Sequence, residues 1–273
     1  MISEPAPGRI HDQVVRIYDL EQPRFQGMPI HESHQPGYLY VLHRRHADSL
    51  DAPGGPRSGA SGMIVSMEHA GTHIDALCHQ AENQTVFGGI NAASICGGSG
   101  FTRHGVEEIA PIAARGVLLD IAGHRGTGML ANGDVVGLDE VKACIESQGV
   151  TIEPGDVVLV RTGNGRNWND PAAYLPGPGM DGAVSLWLAE QRGLAVGADN
   201  MAWDVIGLHD SDAGCELPGH LYLLVRSGIY IIENLNLEAL AADRQWSFSF
   251  ICTPLKFNGA TGSPVRPIAI CPA

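Results

Sequence analysis

Six short apolar runs rich in β-branched residues alternate along the chain with segments of helical periodicity, and this alternation limits the possible folds. The runs cover residues 62–69, 116–123, 156–163, 193–200, 229–235 and 247–255. The predicted helices between them end at glycines, namely Gly149, Gly193 and Gly228. Strands that alternate with helices of about ten residues are typical of α/β proteins. The pattern therefore predicts an α/β fold.

The domain organisation follows from length and composition. A chain of 273 residues can form one large domain or two small ones, and a hydrophobic content of 44% supports a buried core. No low-complexity tract, repeat or charge block marks a linker, so we predict a single domain over residues 1–273. The glycine-rich segments 43–62, 123–134 and 163–182 are interpreted as long loops, which often carry functional residues.

Charge and cysteine content restrict the partners and the location. A net charge of −13 repels phosphate backbones and anionic membrane surfaces, so we expect a small-molecule partner, without nucleic acid or membrane binding. No run of eighteen apolar residues and no secretory signal pattern is present, which indicates a cytoplasmic protein. The six cysteines form no CxxC pair and are predicted to be reduced, mostly buried thiols.

Two familiar motifs are excluded before any metal site is considered. The segment GPGMDG at 177–182 matches GxGxxG by letter, but the residues before it do not form a strand and Pro178 interrupts it. Neither a GxSxG nucleophile elbow nor a phosphate-binding GxxxxGK[ST] loop occurs. The remaining signal in the sequence is a group of residues of the types that bind metal ions.

That signal is EHAGTHIDALCHQ at 68–80, which contains His69, His73, Asp75 and His79. The preceding strand is expected to end at His69, and Thr72 lies three residues before Asp75, as in a helix-capping pattern. A short helix beginning there would place Asp75 and His79 on one face. Imidazole and carboxylate groups suit Zn²⁺, Mn²⁺ or Fe²⁺. The alternative is a polar loop whose histidines are satisfied by other groups.

The segment HAGTHIDALCH resembles the HxGTHxDxxxH signature of the cyclase family of metal-dependent hydrolases, which includes bacterial kynurenine formamidases and isatin hydrolases. Segments 220–240 and 254–270 resemble the second metal segment and the C-terminal signature of that family. The sequence departs from the formamidase pattern at Leu77, where many members have proline, and in longer segments at 43–62 and 164–180.

The resemblance implies a fold, an assembly and a set of site residues. It implies a swivelling β/β/α domain that associates as a homodimer or homotetramer. His69, His73 and Asp75 would bind a first metal, and Asp75 with His220 and Glu233 a second one in members with two metals. His79 would be the proton shuttle, and the cofactor would be one or two ions of Zn²⁺ or Mn²⁺. From the residues alone, His220 at a helix start and Glu233 in an apolar strand are both common, and Glu233 either faces solvent or has a cation partner.

The function implied by the resemblance is hydrolysis of a C–N amide bond in a small aromatic or cyclic amide, as in an arylformamidase or isatin hydrolase, by metal-activated water. A lactone hydrolase or dehydratase on the same metal site is one alternative. A non-catalytic protein that binds a small molecule through the metal is another, and it would not need His79.

Several other residues are candidates for the substrate pocket. Aromatic side chains could line it, and the candidates are Phe25, Trp168, Tyr174 and Trp203. Four further histidines lie in irregular surroundings and are predicted to be surface or pocket-lining residues, namely His31, His34, His43 and His46.

Overall fold

A computed structural model describes residues 4–49 and 56–273 of the chain. Its main feature is a ten-stranded sheet. The strands, numbered in chain order, are Ala6–Ile10 (β1), Gln13–Asp19 (β2), His73–Asp75 (β3), Ile112–Asp120 (β4), Val157–Arg161 (β5), Ala195–Ala198 (β6), Tyr230–Glu233 (β7), Ser247–Cys252 (β8), Gly262–Pro264 (β9) and Ile268–Pro272 (β10). Their spatial order is β1-β2-β10-β8-β4-β5-β6-β7-β3-β9.

The centre of the sheet is parallel and its flanks are antiparallel. Strands β4, β5, β6 and β7 run parallel to one another, whereas β8 pairs antiparallel with β4 and β3 pairs antiparallel with β7. Five of the six predicted strands belong to this sheet, and the predicted α/β class is confirmed. The sixth, predicted at 62–69, lies outside it: Ser61–Ser66 pairs only with Tyr38–Arg44.

Helices and short turns of helix connect the strands. The α-helices are Ala92–Ile95 (α1), Ile121–His124 (α2), Leu138–Gln148 (α3), Pro171–Tyr174 (α4), Gly182–Glu190 (α5), Pro218–His220 (α6) and Glu238–Ala242 (α7). The 3-10 segments are Glu32–His34, His46–Ser49, Phe87–Gly89, Val106–Glu108 and Asn164–Asn167. Helix α3 ends as predicted, with Gly149 at φ 66° as its C-cap.

Two helix predictions need correction. Helix α5 ends at Glu190, before the predicted stop at Gly193. The helix predicted up to Gly228 begins as α6 and continues as a π-helix over Leu221–Val225. Isolated π-turns of this kind often lie at functional sites, and this one follows His220 directly.

The described residues also form five two-stranded sheets outside the main sheet. Their strand pairs are Tyr38–Arg44 with Ser61–Ser66, Thr85–Val86 with Ile90–Asn91, Cys96–Gly97 with Gly100–Phe101, Val135–Val136 with Gly179–Met180, and His209–Asp210 with Cys215–Glu216. None of the helices within residues 4–49 and 56–273 has the length and the apolar character of a membrane-spanning segment.

The central strands are buried on both faces, which explains their nearly continuous apolar sequences. Because side chains alternate along a strand, Leu118 and Leu159 contribute to one core and Leu119 and Val160 to the other. The second core is covered by α3 and α5. All six cysteines are free, and four are buried, as predicted: Cys78, Cys144, Cys252 and Cys271.

A buried ion pair fixes the carboxyl end of β5. Arg161 donates from Nε to Glu238 Oε1 at 2.7 Å and from Nη2 to Oε2 at 3.0 Å. Its Nη1 donates to Asp120 Oδ1 at 2.6 Å. The Arg161 and Glu238 side chains are both 4% exposed, so their charges are compensated mainly by each other.

Candidate metal centre

Strand pairing brings two distant segments together at the carboxyl edge of the parallel strands. His73, the first residue of β3, lies opposite Glu233, the last residue of β7. On the other side of β3, Asp75 pairs with Gly262 of β9. Since alternate residues of a strand share a face, His73 and Asp75 point to the same side, while Ile74 points into the core.

The helix predicted to start at Thr72 is wrong. His73–Asp75 is a strand, and the Thr72 hydroxyl does not cap a helix. It donates instead to the Asn234 carbonyl at 2.6 Å and accepts from the Gln22 amide at 2.9 Å. These long-range bonds hold the segment extended between two strands. His79 then follows a turn in which its amide donates to Ala76 O at 2.9 Å.

His69 reaches the site from a turn and not from a strand end. The preceding strand stops at Ser66, and the Ala70 amide donates to Met67 O at 3.2 Å. The His69 ring is 4% exposed, and its Nδ1 lies 2.8 Å from Asp75 Oδ1. His73 Nε2 lies 3.5 Å from the same oxygen. Asp75 Oδ1 therefore lies close to both imidazoles.

The distal residues His220 and Glu233 join the same cluster. His220 Nε2 lies 3.8 Å from Asp75 Oδ2 and 3.4 Å from Glu233 Oε1. Glu233 Oε2 also lies 3.3 Å from His73 Nε2. The Glu233 side chain is only 6% exposed, so the alternative that it faces solvent is wrong.

The donor atoms of this cluster form two groups that share Asp75. Ligand atoms of His69, Asp75 and His79 lie within 4.8 Å of one another, and so do those of Asp75, His220 and Glu233. The His79 ring stacks on that of His69 with a centroid separation of 3.9 Å. All six residues named from the sequence are thus brought together.

The chemistry of these donors fits a divalent cation. His69 Nδ1, both Asp75 oxygens and Glu233 Oε1 are buried without a hydrogen bond among the described residues, and the close approach of His69 to Asp75 does not have hydrogen-bond geometry. Burial also raises the pKa of Asp75. A buried carboxylate with free oxygens is costly unless a positive charge compensates it. Nitrogen and oxygen donors of this kind suit Zn²⁺ or Mn²⁺.

Burial and neighbouring charge set the protonation of the imidazoles. Burial lowers the pKa of both His69 and His79 to about 3, so these rings are neutral at neutral pH. Burial also opposes protonation of His73 and His220. Interactions with Glu233 outweigh it at His73, and interactions with Asp204 and Glu233 outweigh it at His220, so the pKa of both rings is raised. An imidazole must be deprotonated to bind a metal, so a cation would displace protons from these two.

Residues 18–205 match the model of the Cyclase family, whose description reads "Putative cyclase". The chain belongs to the Cyclase family. A solved structure described as a novel cyclase is 27% identical, with a TM-score of 0.82, and the match covers 93% of this chain and 88% of that one. No curated protein matches the chain.

Isatin hydrolases share this fold. Isatin hydrolase A from Ralstonia solanacearum is 23% identical with a TM-score of 0.70, and the match covers 94% of this chain and 92% of that one. An isatin hydrolase bound to the product analogue thioisatinate is 23% identical with a TM-score of 0.71, covering 95% and 93% of the two chains. The cyclase-like fold expected from the sequence is confirmed.

Hydrogen bonds behind the cluster were not identified from the sequence. Asp204 Oδ2 accepts from His220 Nδ1 at 3.0 Å, which leaves Nε2 directed at Asp75 and Glu233. His73 Nδ1 donates to the Gly71 carbonyl at 2.7 Å. Such contacts fix the tautomer and orientation of a ligating ring. Asp204 lies in a loop with no spacing relation to His220 that could have indicated the contact.

Asn234 and Thr261 support the cluster from two other sides. Asn234, at φ 58°, donates from Nδ2 to Gly71 O at 3.0 Å and accepts from the Tyr174 hydroxyl at 2.8 Å. Thr261 Oγ1 lies 2.8 Å from His69 Nε2 and donates to the Glu68 carboxylate. The position of Asn234 directly after Glu233 is the one feature of the sequence that could have indicated that Asn234 supports the cluster.

A cavity of about 230 Å³ opens onto this candidate metal centre. Its remaining lining residues are partly polar and partly apolar, namely His31, Ser33, His34, Gln80, Met201, Ala202, Ile206 and Leu217. The pocket-lining prediction is confirmed for His31 and His34. His43 lies instead on an exposed strand and His46 on an exposed 3-10 turn.

The aromatic wall predicted from the sequence is wrong. Trp168, Tyr174 and Trp203 are at most 2% exposed and do not line this cavity. Trp168 donates from Nε1 to the Pro23 carbonyl at 2.7 Å, and Trp203 donates to Ser185 Oγ at 2.9 Å. Phe25 packs against the same buried cluster as Trp168. These rings anchor loops in the core.

Proposed function

We propose that this protein is a metal-dependent hydrolase that cleaves the C–N amide bond of a small aromatic or cyclic amide. The observation that supports it is the buried cluster of two donor groups sharing Asp75 at the floor of a cavity of about 230 Å³. The fold that the chain shares with isatin hydrolases supports the proposal that the bond cleaved is an amide.

In this proposal, the buried cluster of His, Asp and Glu residues holds one or two ions of Zn²⁺ or Mn²⁺. His69, His73 and Asp75 would hold the first ion, and Asp75, His220 and Glu233 the second. A divalent cation polarises a carbonyl and lowers the pKa of a bound water from about 15.7 to about 7. Asp204 and the Gly71 carbonyl keep His220 and His73 oriented with Nε2 toward the cluster.

His79 is proposed as the group that moves the proton. Its ring stacks on His69 at the cavity floor, and burial lowers its pKa to about 3, so the ring is neutral at neutral pH. It would take a proton from the attacking water and deliver it to the leaving nitrogen, which then departs as a neutral amine.

The cavity wall sets the size and polarity of the substrate. His31, His34 and Gln80 offer hydrogen bonds to the polar edge of a ring or amide, while Met201 and Ile206 lie on the apolar wall. A small molecule that fits within about 230 Å³ is therefore the proposed size class.

The test is a hydrolysis screen with the full chain loaded with Zn²⁺ or Mn²⁺. N-formyl anilines and isatin-like lactams are compared with matched esters and lactones, and chelated protein is the control. We expect metal-dependent release of an amine or opening of a lactam. Metal binding without turnover of any amide would contradict an amidohydrolase, and turnover of lactones alone would favour a lactone hydrolase.

A further inference from the structure

A second cavity, of about 280 Å³, lies at the carboxyl end of β4, and no residue of the metal cluster lines it. Its lining residues are Asp120, Gly123, His124, Ser147, Gln148, Ala241, Arg244 and Trp246. It is slightly larger than the cavity of about 230 Å³ at the candidate metal centre. The second cavity therefore has room for a small molecule of its own.

The cavity lies between two connections that run to opposite faces of the main sheet. After β4 ends at Asp120, the chain passes through α2 to α3, whose Val141 and Cys144 pack on the second core. The segment that enters β8 comes from α7, whose Leu240 packs on the first core. In open α/β sheets, a crevice of this kind outside the carboxyl end of a parallel strand is the usual place for a ligand.

Arg244 supplies a positive charge to this cavity. Its guanidinium makes no hydrogen bond or ion pair with another described residue. The adjacent carboxylate of Asp243 is already occupied, because it accepts from the Tyr18 hydroxyl at 2.6 Å and from Arg16 at 3.0 Å. Arg244 also has φ 53°, which is uncommon for a residue other than glycine. An unpaired guanidinium suits a carboxylate, which can accept two parallel hydrogen bonds from it.

The carboxylate that lines the cavity, that of Asp120, has its own partners. Asp120 Oδ1 accepts from Arg161 Nη1 at 2.6 Å and from the Gly123 amide at 3.0 Å. The Asp120 side chain is only 12% exposed, and the guanidinium of Arg161 compensates its charge. Arg244 and not Asp120 thus sets the charge that a ligand meets in this cavity.

Trp246 and His124 add an aromatic surface and free polar atoms. The Trp246 indole N–H has no acceptor among the described residues. The Ser147 hydroxyl donates to the Cys144 carbonyl at 2.9 Å, so its oxygen accepts from His124 Nδ1, which lies 3.1 Å away. His124 Nε2 is left without a partner in the part of the chain that the structure describes. The lining thus offers a ring to pack against and hydrogen bonds for a polar edge.

We propose that this cavity is a binding site for a small aromatic carboxylate. Arg244 binds the carboxylate, the ring of the ligand packs against Trp246, and His124 contacts a polar substituent. One unpaired cation matches the single charge of a carboxylate better than the double charge of a phosphate. The site shares no residue with the metal cluster, so this proposal does not depend on the proposed amide hydrolysis.

The test is a titration of the metal-loaded full chain with 4-fluorobenzoate, followed by fluorine NMR. We expect saturable binding to the wild type. Arg244→Gln should weaken it about 10- to 100-fold, the usual effect of losing a hydrogen bond to a charged group. Trp246→Leu should weaken it about 2- to 10-fold, because the ring contact is lost. 4-Fluorobenzamide keeps the ring without the charge and should bind no more tightly than 4-fluorobenzoate binds to Arg244→Gln.

Arg192→Gln is the matched control for the loss of the arginine. Arg192 is also exposed, has φ 59° and makes no ion pair with a described residue, but it does not line the cavity. This variant should bind 4-fluorobenzoate as the wild type does. Circular dichroism checks that each variant is folded.

A carboxylate can also bind to a metal ion, and Asp75→Ala separates the two sites because this variant is expected to lose the metal. Binding in the second cavity should persist in Asp75→Ala. Absence of saturable binding to the wild type would overturn the proposal, and so would equal binding of 4-fluorobenzoate and 4-fluorobenzamide. Binding that is lost in Asp75→Ala and kept in folded Arg244→Gln would place the ligand at the metal centre and would also overturn it.

Discussion

Glu233 Oε2 lies 3.3 Å from His73 Nε2, although the two residues belong to strands that are distant in sequence. The contact exists because β7 ends where β3 begins, and their antiparallel pairing places the two residues opposite each other. Glu233 is thereby buried beside His73, His220 and Asp75, where its charge requires compensation.

The first prediction concerns Glu233→Gln, which keeps the size of the side chain and removes its charge. We expect the protein to lose one equivalent of bound metal relative to the wild type, because the group of Asp75, His220 and Glu233 loses an anionic donor. Elemental analysis of the purified protein measures this. Glu216→Gln, at an exposed position, is the control, and wild-type metal content in Glu233→Gln would contradict the assignment.

Asp75→Ala should have a larger effect, because Asp75 belongs to both donor groups. We expect loss of all tightly bound metal and a lower melting temperature. Metal at one hundred times its dissociation constant stabilises a folded protein by about 2.7 kcal/mol, and this contribution would disappear. Thermal melting with and without added Zn²⁺ provides the measurement. His124→Ala, at an exposed histidine, should leave both quantities unchanged.

His79→Ala tests whether this residue moves protons or binds metal. We expect unchanged metal content and a loss of about 10²- to 10⁴-fold in turnover, the usual contribution of a general base. The loss should appear in kcat more than in KM, because the ring acts while the proton moves. A variant that is purified without metal would identify His79 as a ligand, which its distance to Asp75 also permits.

Asn234→Gly tests the support behind His73 without straining the backbone, since glycine adopts φ 58° freely. The substitution removes the acceptor of the Tyr174 hydroxyl and a donor to Gly71 O. We expect a loss of about 1–3 kcal/mol in the free energy of unfolding and weaker metal binding. Tyr174→Phe removes only one of these bonds and should cost less. Equal metal affinity in the wild type and Asn234→Gly would restrict Asn234 to a structural role.

Arg161→Met should be the most destabilising of these changes. Among the described residues, it leaves Arg166 as the only ion-pair partner of Glu238 and removes the ion-pair partner of Asp120. Breaking a buried ion pair costs about 3–5 kcal/mol, whereas an exposed pair such as Arg266–Asp19 contributes about 0–1 kcal/mol. Urea unfolding of Arg161→Met and Arg266→Met compares the two. If Arg161→Met/Glu238→Leu is no more stable than Arg161→Met, the interpretation is wrong.

The central strands could be predicted from sequence because burial on both faces requires continuous apolar runs, as in β4 and β5. Strand β3 could not be predicted, because only three residues pair and two of them are polar. Its extended form depends on the Thr72 hydroxyl bonding to the Asn234 carbonyl, which no local pattern reveals. A capping pattern predicts a helix only when the hydroxyl has no stronger distant partner.

The site residues themselves could be named because their spacing is unusual, whereas the groups that orient them could not. Asp204 and Thr261 come from loops far from the residues that they contact. The prediction that aromatic residues line the cavity was wrong for a related reason. A loop aromatic has the same sequence environment whether it lines a cavity or, like Trp168, anchors the loop to the core.

The pairing of β3 between β7 and β9 also determines when the metal centre can form during synthesis. Asn234 and His73 are 161 positions apart, and β9 ends only at Pro264. A nascent chain that has exposed only its first half has His69, His73 and Asp75 but no neighbouring strand to hold them in place. Pairing between strands that are so distant in sequence costs loop-closure entropy before any contact between them contributes stability. These strands therefore pair late in folding. Metal uptake is thus expected only after Pro264 has left the ribosome.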